Sequence, residues 1–274
     1  MLSHHFDEYG FTLIELIITL VIAGIVATIS SHLLTQPIEA YVDITRRATL
    51  TDVAASAVQR MQRDIQAALP NSIRVSADGQ TLELLHVVAG GRYRARYASD
   101  GSGDILDFTR PDTRADVIGH IANFSQINPG RDKLVIYPLP YAGANPYAGE
   151  NITALRQQIT AQTLTFAPFQ FPLASPQHRF FIIDTPITYH CDLSASTAKN
   201  KRLMRYEGYS IQASQPVPPT IGGAIQANYL SQCHFSYQSG SSTRADLVTL
   251  AITIADDTGE SVRLLHQVHV SNSP

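Results

Sequence analysis

Residues 11–34, FTLIELIITLVIAGIVATISSHLL, form an apolar run in which only Thr19 and Thr28 are polar between Leu16 and Ile29. Built as a helix, these 24 residues reach ~36 Å, enough to cross a bilayer. A secretory signal peptide is the first alternative. It fits poorly, because ten mostly polar residues precede the run and no small-x-small cleavage site follows it near Ala27. A buried helix of a soluble protein fits poorly too, since the run is too evenly apolar to leave one wet face. The run therefore predicts a membrane-inserted helix, and the rest of the chain must fold beside such an anchor.

Glu15 breaks the apolar pattern near its start. A carboxylate there costs a few kcal/mol on insertion scales, and such residues usually have a partner. Snorkelling to the membrane edge is the bland explanation. The surrounding residues point elsewhere: Gly10-Phe11-Thr12-Leu13-Ile14-Glu15-Leu16 places a Gly, a Phe and, five residues after the Gly, a Glu at the head of a long apolar helix. This resembles the prepilin processing motif of type IV pilins and type II secretion pseudopilins.

The resemblance implies that a prepilin peptidase cuts between Gly10 and Phe11 and methylates the new Phe11 amine. The short leader stays cytoplasmic. Glu15 then pairs with the Phe11 ammonium of a neighbouring subunit during assembly. The physics agrees, since two opposite charges in low dielectric relieve each other's desolvation only if they meet. Gly10 suits a junction that the peptidase must approach along the backbone. Two departures stand beside this. The leader MLSHHFDEYG carries no Lys or Arg, and Arg46 and Arg47 lie beyond the helix, so the positive-inside rule does not predict a cytoplasmic N-terminus. The first proline is Pro37, past the apolar core, where the lost hydrogen bond predicts a kink near Leu33.

Helical character continues beyond the run. Ala54, Val58, Met61, Ile65 and Ala68 recur at spacings of four and three, one apolar stripe, with Arg60, Arg63, Asp64 and Gln66 off it, and Pro70 ends the pattern. This stripe is expected to pack on the protein's own sheet. After Pro70 the period becomes two. Strands are expected at 72–75, 81–87, 92–97, 105–109, 134–137, 180–183, 188–191, 203–211, 233–237, 247–254 and 261–270. Asp256-Asp257-Thr258-Gly259 is a hairpin turn signal. Residues 138–151 and 214–220 read as surface loops. The expected organisation is a leader at 1–10, a transmembrane helix at 11–36, its amphipathic continuation at 37–70, and a periplasmic β-rich domain at 71–274. The fold class is α+β and pilin-like, a long N-terminal helix packed on an antiparallel sheet.

Several function classes fall away. A net charge of −3, from 20 basic and 23 acidic side chains, does not suit a chain that coats nucleic acid. Two cysteines are too few for a disulfide-stapled mini-protein or a four-Cys zinc site. There is no GxxxxGK[ST], GxSxG or HExxH. Asp100-Gly101-Ser102-Gly103-Asp104 imitates a calcium loop, but Ile105 stands where the invariant Gly belongs, so it reads as a turn. Arg92, Arg94 and Arg96 alternate with Tyr93 and Tyr97, a pattern that suits an anion-binding strip or, more often, a solvated sheet edge. Cys191 and Cys233 fall at strand ends in the part that the resemblance exports, and oxidising compartments favour pairing. Two buried thiols, or a metal pair with His190 and His234, remain alternatives, although alternation turns each His away from its Cys.

Segments further along extend the resemblance. Residues 60–70, RMQRDIQAALP, resemble the helix end of the J-type pseudopilins and related minor pilins. Residues 184–192, DTPITYHCD, with 205–209, RYEGY, and 264–270, LLHQVHV, resemble the MshO family of MSHA-pilus minor pilins. That resemblance implies a structural subunit, not an enzyme, that primes or caps a pilus. It implies no cofactor and no metal. The implied partners are the prepilin peptidase, other minor pilins, major pilin subunits, the inner-membrane assembly platform and, before assembly, membrane lipid, with no nucleic acid. The alternatives are a J-type pseudopilin of type II secretion, a pilus-tip adhesin that binds a surface or glycan, and a membrane-anchored enzyme, which no convergent set of nucleophile, base and metal supports.

Overall fold

The computed structural model describes residues 10–240 and 245–270, without the side chains of residues 31–36, 38 and 39. The leader, apart from Gly10, lies outside the described residues. The chain divides into two units, Met1–Thr49 and Leu50–Pro274. One helix, α1 (Leu13–Gln66), contributes to both. Pro37 lies inside α1 and the helix is unbroken at Leu33.

In the first unit the described side chains of α1 are almost all exposed. The window Leu13–Ser30 has a mean hydropathy of 2.5 and none of it is buried, so by length and composition it can cross a membrane. Thr19 and Thr28 do not spoil it. Thr19 donates to the Leu16 carbonyl at 2.9 Å, and Thr28 to those of Gly24 and Ile25, so neither hydroxyl enters lipid unpaired.

The second unit is built on antiparallel strands. They are β1 (Arg74–Val75), β2 (Thr81–Tyr93), β3 (Asp112–Ala122), β4 (Lys133–Ile136), β5 (Ile152–Ala154), β6 (Thr163–Phe169), β7 (Arg179–Asp192), β8 (Arg202–Tyr206), β9 (Gly223–Asn228), β10 (Leu230–Gln238), β11 (Asp246–Ala255) and β12 (Ser261–Val270). One sheet runs β5-β4-β7-β2-β3-β6, with β8 on β7, β9 on β8 and β1 on β2; the other is β10-β11-β12. The expected apolar stripe is the inner face of α1. Ala54, Val58, Met61, Ile65 and Ala68 are all buried, in one cluster with Leu84 and Tyr189 of the large sheet and Phe235, Leu250 and Val268 of the small one. A second cluster, around Tyr93, Phe166 and Phe180, fills the far end of β2 and β7.

Two short features join the sheets. Gly79, in the β1–β2 turn with φ +70°, accepts a bond from Phe235 N–H at 2.7 Å; a Cβ there lies 2.3 Å from the His234 ring, so only glycine fits. Cys191 of β7 and Cys233 of β10 are disulfide-bonded, with Cα atoms 6.2 Å apart. His190 instead bonds Thr81 Oγ1 at 2.9 Å, and among the described residues no group of three or more His, Cys, Asp or Glu side chains is placed to hold a metal. The turn at 256–259 forms as expected: Asp256 accepts from Thr258 N and Glu260 N, and Gly259 takes φ +93°.

Elsewhere the structure corrects the periodicity. Residues 105–109 form no strand, because Asp107 and Asp112 take up the local N–H groups in turns. The 92–97 segment leaves the sheet after Tyr93; Arg94 pairs with Asp116, Tyr93 is buried and Tyr97 is exposed, so no arginine strip forms. The 203–211 segment leaves the sheet after Tyr206. The 180–183 and 188–191 segments are one strand that runs through Pro186. The 138–151 loop is partly interior: Tyr147 is buried and donates to the Ser72 carbonyl at 2.9 Å. Strands β3, β5, β6 and β9 lie outside the segments that periodicity predicts. Their sequences, DTRADVIGHIA, ITA, TLTFAPF and GAIQAN, are short or interrupted by charge, Gly or Pro.

Candidate functional site

Two places carry the chemistry. The first is the head of α1. Gly10 and Phe11 are exposed and precede the helix, and Phe11 is 73% exposed. Thr12 caps the helix: its Oγ1 accepts from Glu15 N–H at 3.3 Å and its carbonyl accepts from Leu16 N–H. Thr12-x-x-Glu15 is thus also the pattern of a capping box, a signal present in the sequence that the motif alone does not explain. Glu15 lies in the first turn, where the helix dipole favours an anion, and its side chain is exposed. It is the one charged residue of the apolar window. A carboxylate so placed is tolerable in the free helix and unsatisfied in lipid until a cation reaches it.

The second place is a cleft of about 510 Å³ in the second unit, lined by Arg131, Lys133, Asp184, Thr185, Glu207 and the 208–211 loop. Its origin is a gap in the sheet. On one side β7 pairs with β4 as far as Ile183, which faces Lys133, and with β8 from Thr188, which faces Tyr206. Residues 184–187 have only β2 beside them. Pro186, which has no N–H to donate, sits in this interrupted stretch.

The walls of the cleft are fixed. Arg205 donates to Asp64 of α1 at 2.8 Å and to Glu207 at 2.6 Å, while Tyr189 donates to the same Asp64 oxygen at 2.7 Å. Burial opposes charge on Arg205, but the two carboxylates outweigh it and hold the guanidinium above its ordinary value. Burial, and then the Asp64 charge, pushes the Tyr189 phenol up. Tyr209 donates to the fully buried Glu83 at 3.0 Å. Arg74 pairs with Glu83 at 2.6 Å, stacks 3.7 Å over Tyr147 and donates to the carbonyls of Gln212 and Ala213. At the floor, Asp184 meets His86 at 3.0 Å and Arg131 at 3.7 Å. The Asp184 bond raises the His86 pKa against the opposing effect of burial.

The residues singled out from sequence thus lie in different places. Gly10, Phe11 and Glu15 share the head of α1, and Cys191 and Cys233 join the sheets. The cleft residues Arg131 and Lys133 belong to no motif, because the gap that gathers them is a product of strand pairing.

Residues 6–31 match the family model described as the prokaryotic N-terminal methylation motif. No curated protein and no solved structure matches the chain. The motif supports a type IV pilin-like protein. It implies processing by a prepilin peptidase and assembly with other pilins, and it marks structural subunits rather than enzymes. The apolar helix suggests membrane anchoring.

Proposed function

We propose that this chain is a minor pilin of an MSHA-like type IV pilus, of the MshO kind, which primes or caps assembly. The peptidase cuts between Gly10 and Phe11 and methylates the Phe11 amine. The helix holds the protein in the inner membrane, with the 71–274 domain in the periplasm, until the assembly platform and the other pilins extract it. Glu15 then meets the Phe11 ammonium of a neighbour. One observation carries this reading: the matched motif covers the head of α1, where the apolar window Leu13–Ser30 is unburied and its single charged residue, Glu15, stands in the first turn of the helix.

Mass spectrometry of the mature N-terminus tests it. N-methylated Phe11 is the expected first residue, and Gly10→Asp should leave the precursor uncut. An intact Gly10–Phe11 bond in the wild-type protein would refute the processing step. A J-type pseudopilin shares the same junction, so crosslinking separates the two: pilus pilins are the expected partners, and partners drawn only from a secretion apparatus favour the alternative.

A further inference from the structure

We infer that the outer face of the large sheet binds a phosphate monoester between Arg92 of β2 and Arg179 of β7. This inference does not depend on the N-terminal motif.

Strand register makes the pair. Arg92 stands directly opposite Arg179, and Gly90 directly opposite Phe181. Alternation turns these four residues to one face of the sheet and Tyr93 and Phe180 to the other, where both are buried in the second cluster. Opposite residues on one face have Cβ atoms about 4.5–5.5 Å apart, and like charges so placed destabilise a sheet. Arg92 is exposed and has no hydrogen-bond or ion-pair partner among the described residues. Arg94 cannot supply the second cation, because Asp116 holds it. Beside the arginine pair lies a hollow of about 390 Å³, lined by Val87, Gly90, Ala122 and Phe181 among others. Gly90 falls between Phe181 and Ala122 in register and leaves the floor open where a side chain would fill it. A second hollow of about 240 Å³ shares Val87, Arg179 and Phe181 and continues to Ala67 and Pro70 at the end of the helix. Neither lining holds an acidic side chain. Two guanidinium forks side by side suit one tetrahedral oxyanion, which offers each of them a pair of oxygens. A phosphate monoester carries about −1.5 to −2 at neutral pH, enough to offset both cations, whereas a carboxylate offsets one. Val87, Ala122 and Phe181 supply apolar surface for the organic part of the ester, and the sheet fixes both arginine backbones before any ligand arrives.

The test is calorimetric titration of the full-length protein in uncharged detergent micelles with phenyl phosphate. Inorganic phosphate, benzoate and benzyl alcohol serve as controls for the ester, the charge and the ring. Phenyl phosphate should bind, and all three controls should bind more weakly. Arg92→Gln should weaken binding by about 10- to 100-fold, the worth of one hydrogen bond to a charged group, while Arg92→Lys, which keeps the charge and loses the fork, should lose less. Ala122→Glu, at an exposed position of the lining, sets a carboxylate beside the arginines and should abolish binding. Each variant is first shown to melt no lower than the wild type. Should Ala122→Glu fail that check, Arg92→Gln decides alone. No heat with phenyl phosphate, equal affinity for any of the controls, or binding untouched by a correctly folded variant would each overturn the assignment.

Discussion

Arg74→Met tests whether a buried charge holds the wall of the cleft. Arg74 Nε lies 2.6 Å from Glu83, whose side chain is completely buried. Methionine keeps the apolar stem and deletes the cation. Removing one partner of a buried pair costs about 3–5 kcal/mol, because the other charge is left without its complement. Here the lower end applies, since Tyr209 still donates to Glu83. The bonds to Gln212 and Ala213 lie at exposed positions, where water replaces the guanidinium, and add little. The lost stacking on Tyr147 adds about 0.5–1 kcal/mol. The sum, about 4 kcal/mol, is a large share of the ~5–15 kcal/mol that stabilises an ordinary protein. Urea unfolding of the full-length protein in micelles measures it. Arg74→Met with Glu83→Leu should recover most of the loss, since an apolar pair replaces a buried ion pair at little cost, and Tyr209 keeps Thr188 as a partner.

The same variant carries a pH signature. Burial holds the Glu83 carboxyl above its ordinary pKa, against the lowering effects of Arg74 and Tyr209. A carboxyl with a raised folded pKa binds protons more readily folded than unfolded. Stability therefore falls as pH rises from the ordinary value through the raised one. Without Arg74 the rise is larger, so the loss should be greatest at neutral pH and shrink on acidification. A loss below about 1 kcal/mol, the size of a surface pair, or a double variant as weak as Arg74→Met, would refute the reasoning.

Three further outcomes are expected. Cys191→Ser with Cys233→Ser should cost about 4 kcal/mol, from a 42-residue separation in the chain-entropy model; an unchanged urea midpoint contradicts it. Glu15→Leu should leave a processed protein that stays in the membrane with reduced crosslinking to other pilins, and wild-type crosslinking and piliation count against the assembly role of Glu15. The contribution of His86, whose pKa Asp184 raises, is complete below its ordinary value of about 6.5 and is lost as pH rises through the raised one. His86→Gln should therefore flatten the melting temperature between pH ~6 and ~8; an identical slope in both proteins excludes the pair as its source.

Local chemistry decided which parts of the fold were legible in the sequence. The apolar run, the 54–68 stripe and the Asp256–Gly259 turn each act over a few residues, and each forms where its pattern lies. Strand β12 coincides with the expected 261–270 segment because alternation survives along its whole length. Strand β3 carries no such pattern because Arg114, Asp116 and Gly119 interrupt it, and β6 alternates only from Thr163 to Phe166, two residues short of Pro168, too brief a run to stand out. Tyr147 stands in a segment with the composition of a surface loop, yet Ser72 and Arg74, more than seventy residues earlier, fix it in the interior. The cleft is invisible in the sequence for the same reason, since a gap in strand pairing has no residue signature of its own.

The core of the second unit has a consequence for the order of events during synthesis. Leu50, Met61 and Ile65, from the first quarter of the chain, share one cluster with Val268 and Val270, almost the last described residues. Gln62 also bonds His266, 204 positions later. The helix stripe therefore emerges early and finds its final cover only when β12 has been made. Until then its apolar side chains stay open, to lipid or to a chaperone, and closure of the domain is a late, long-range step with a large loop entropy to overcome. A chain that stops before β12 should leave that core unsealed and be cleared by proteolysis, so the completion of β12 acts as the checkpoint for a stable fold.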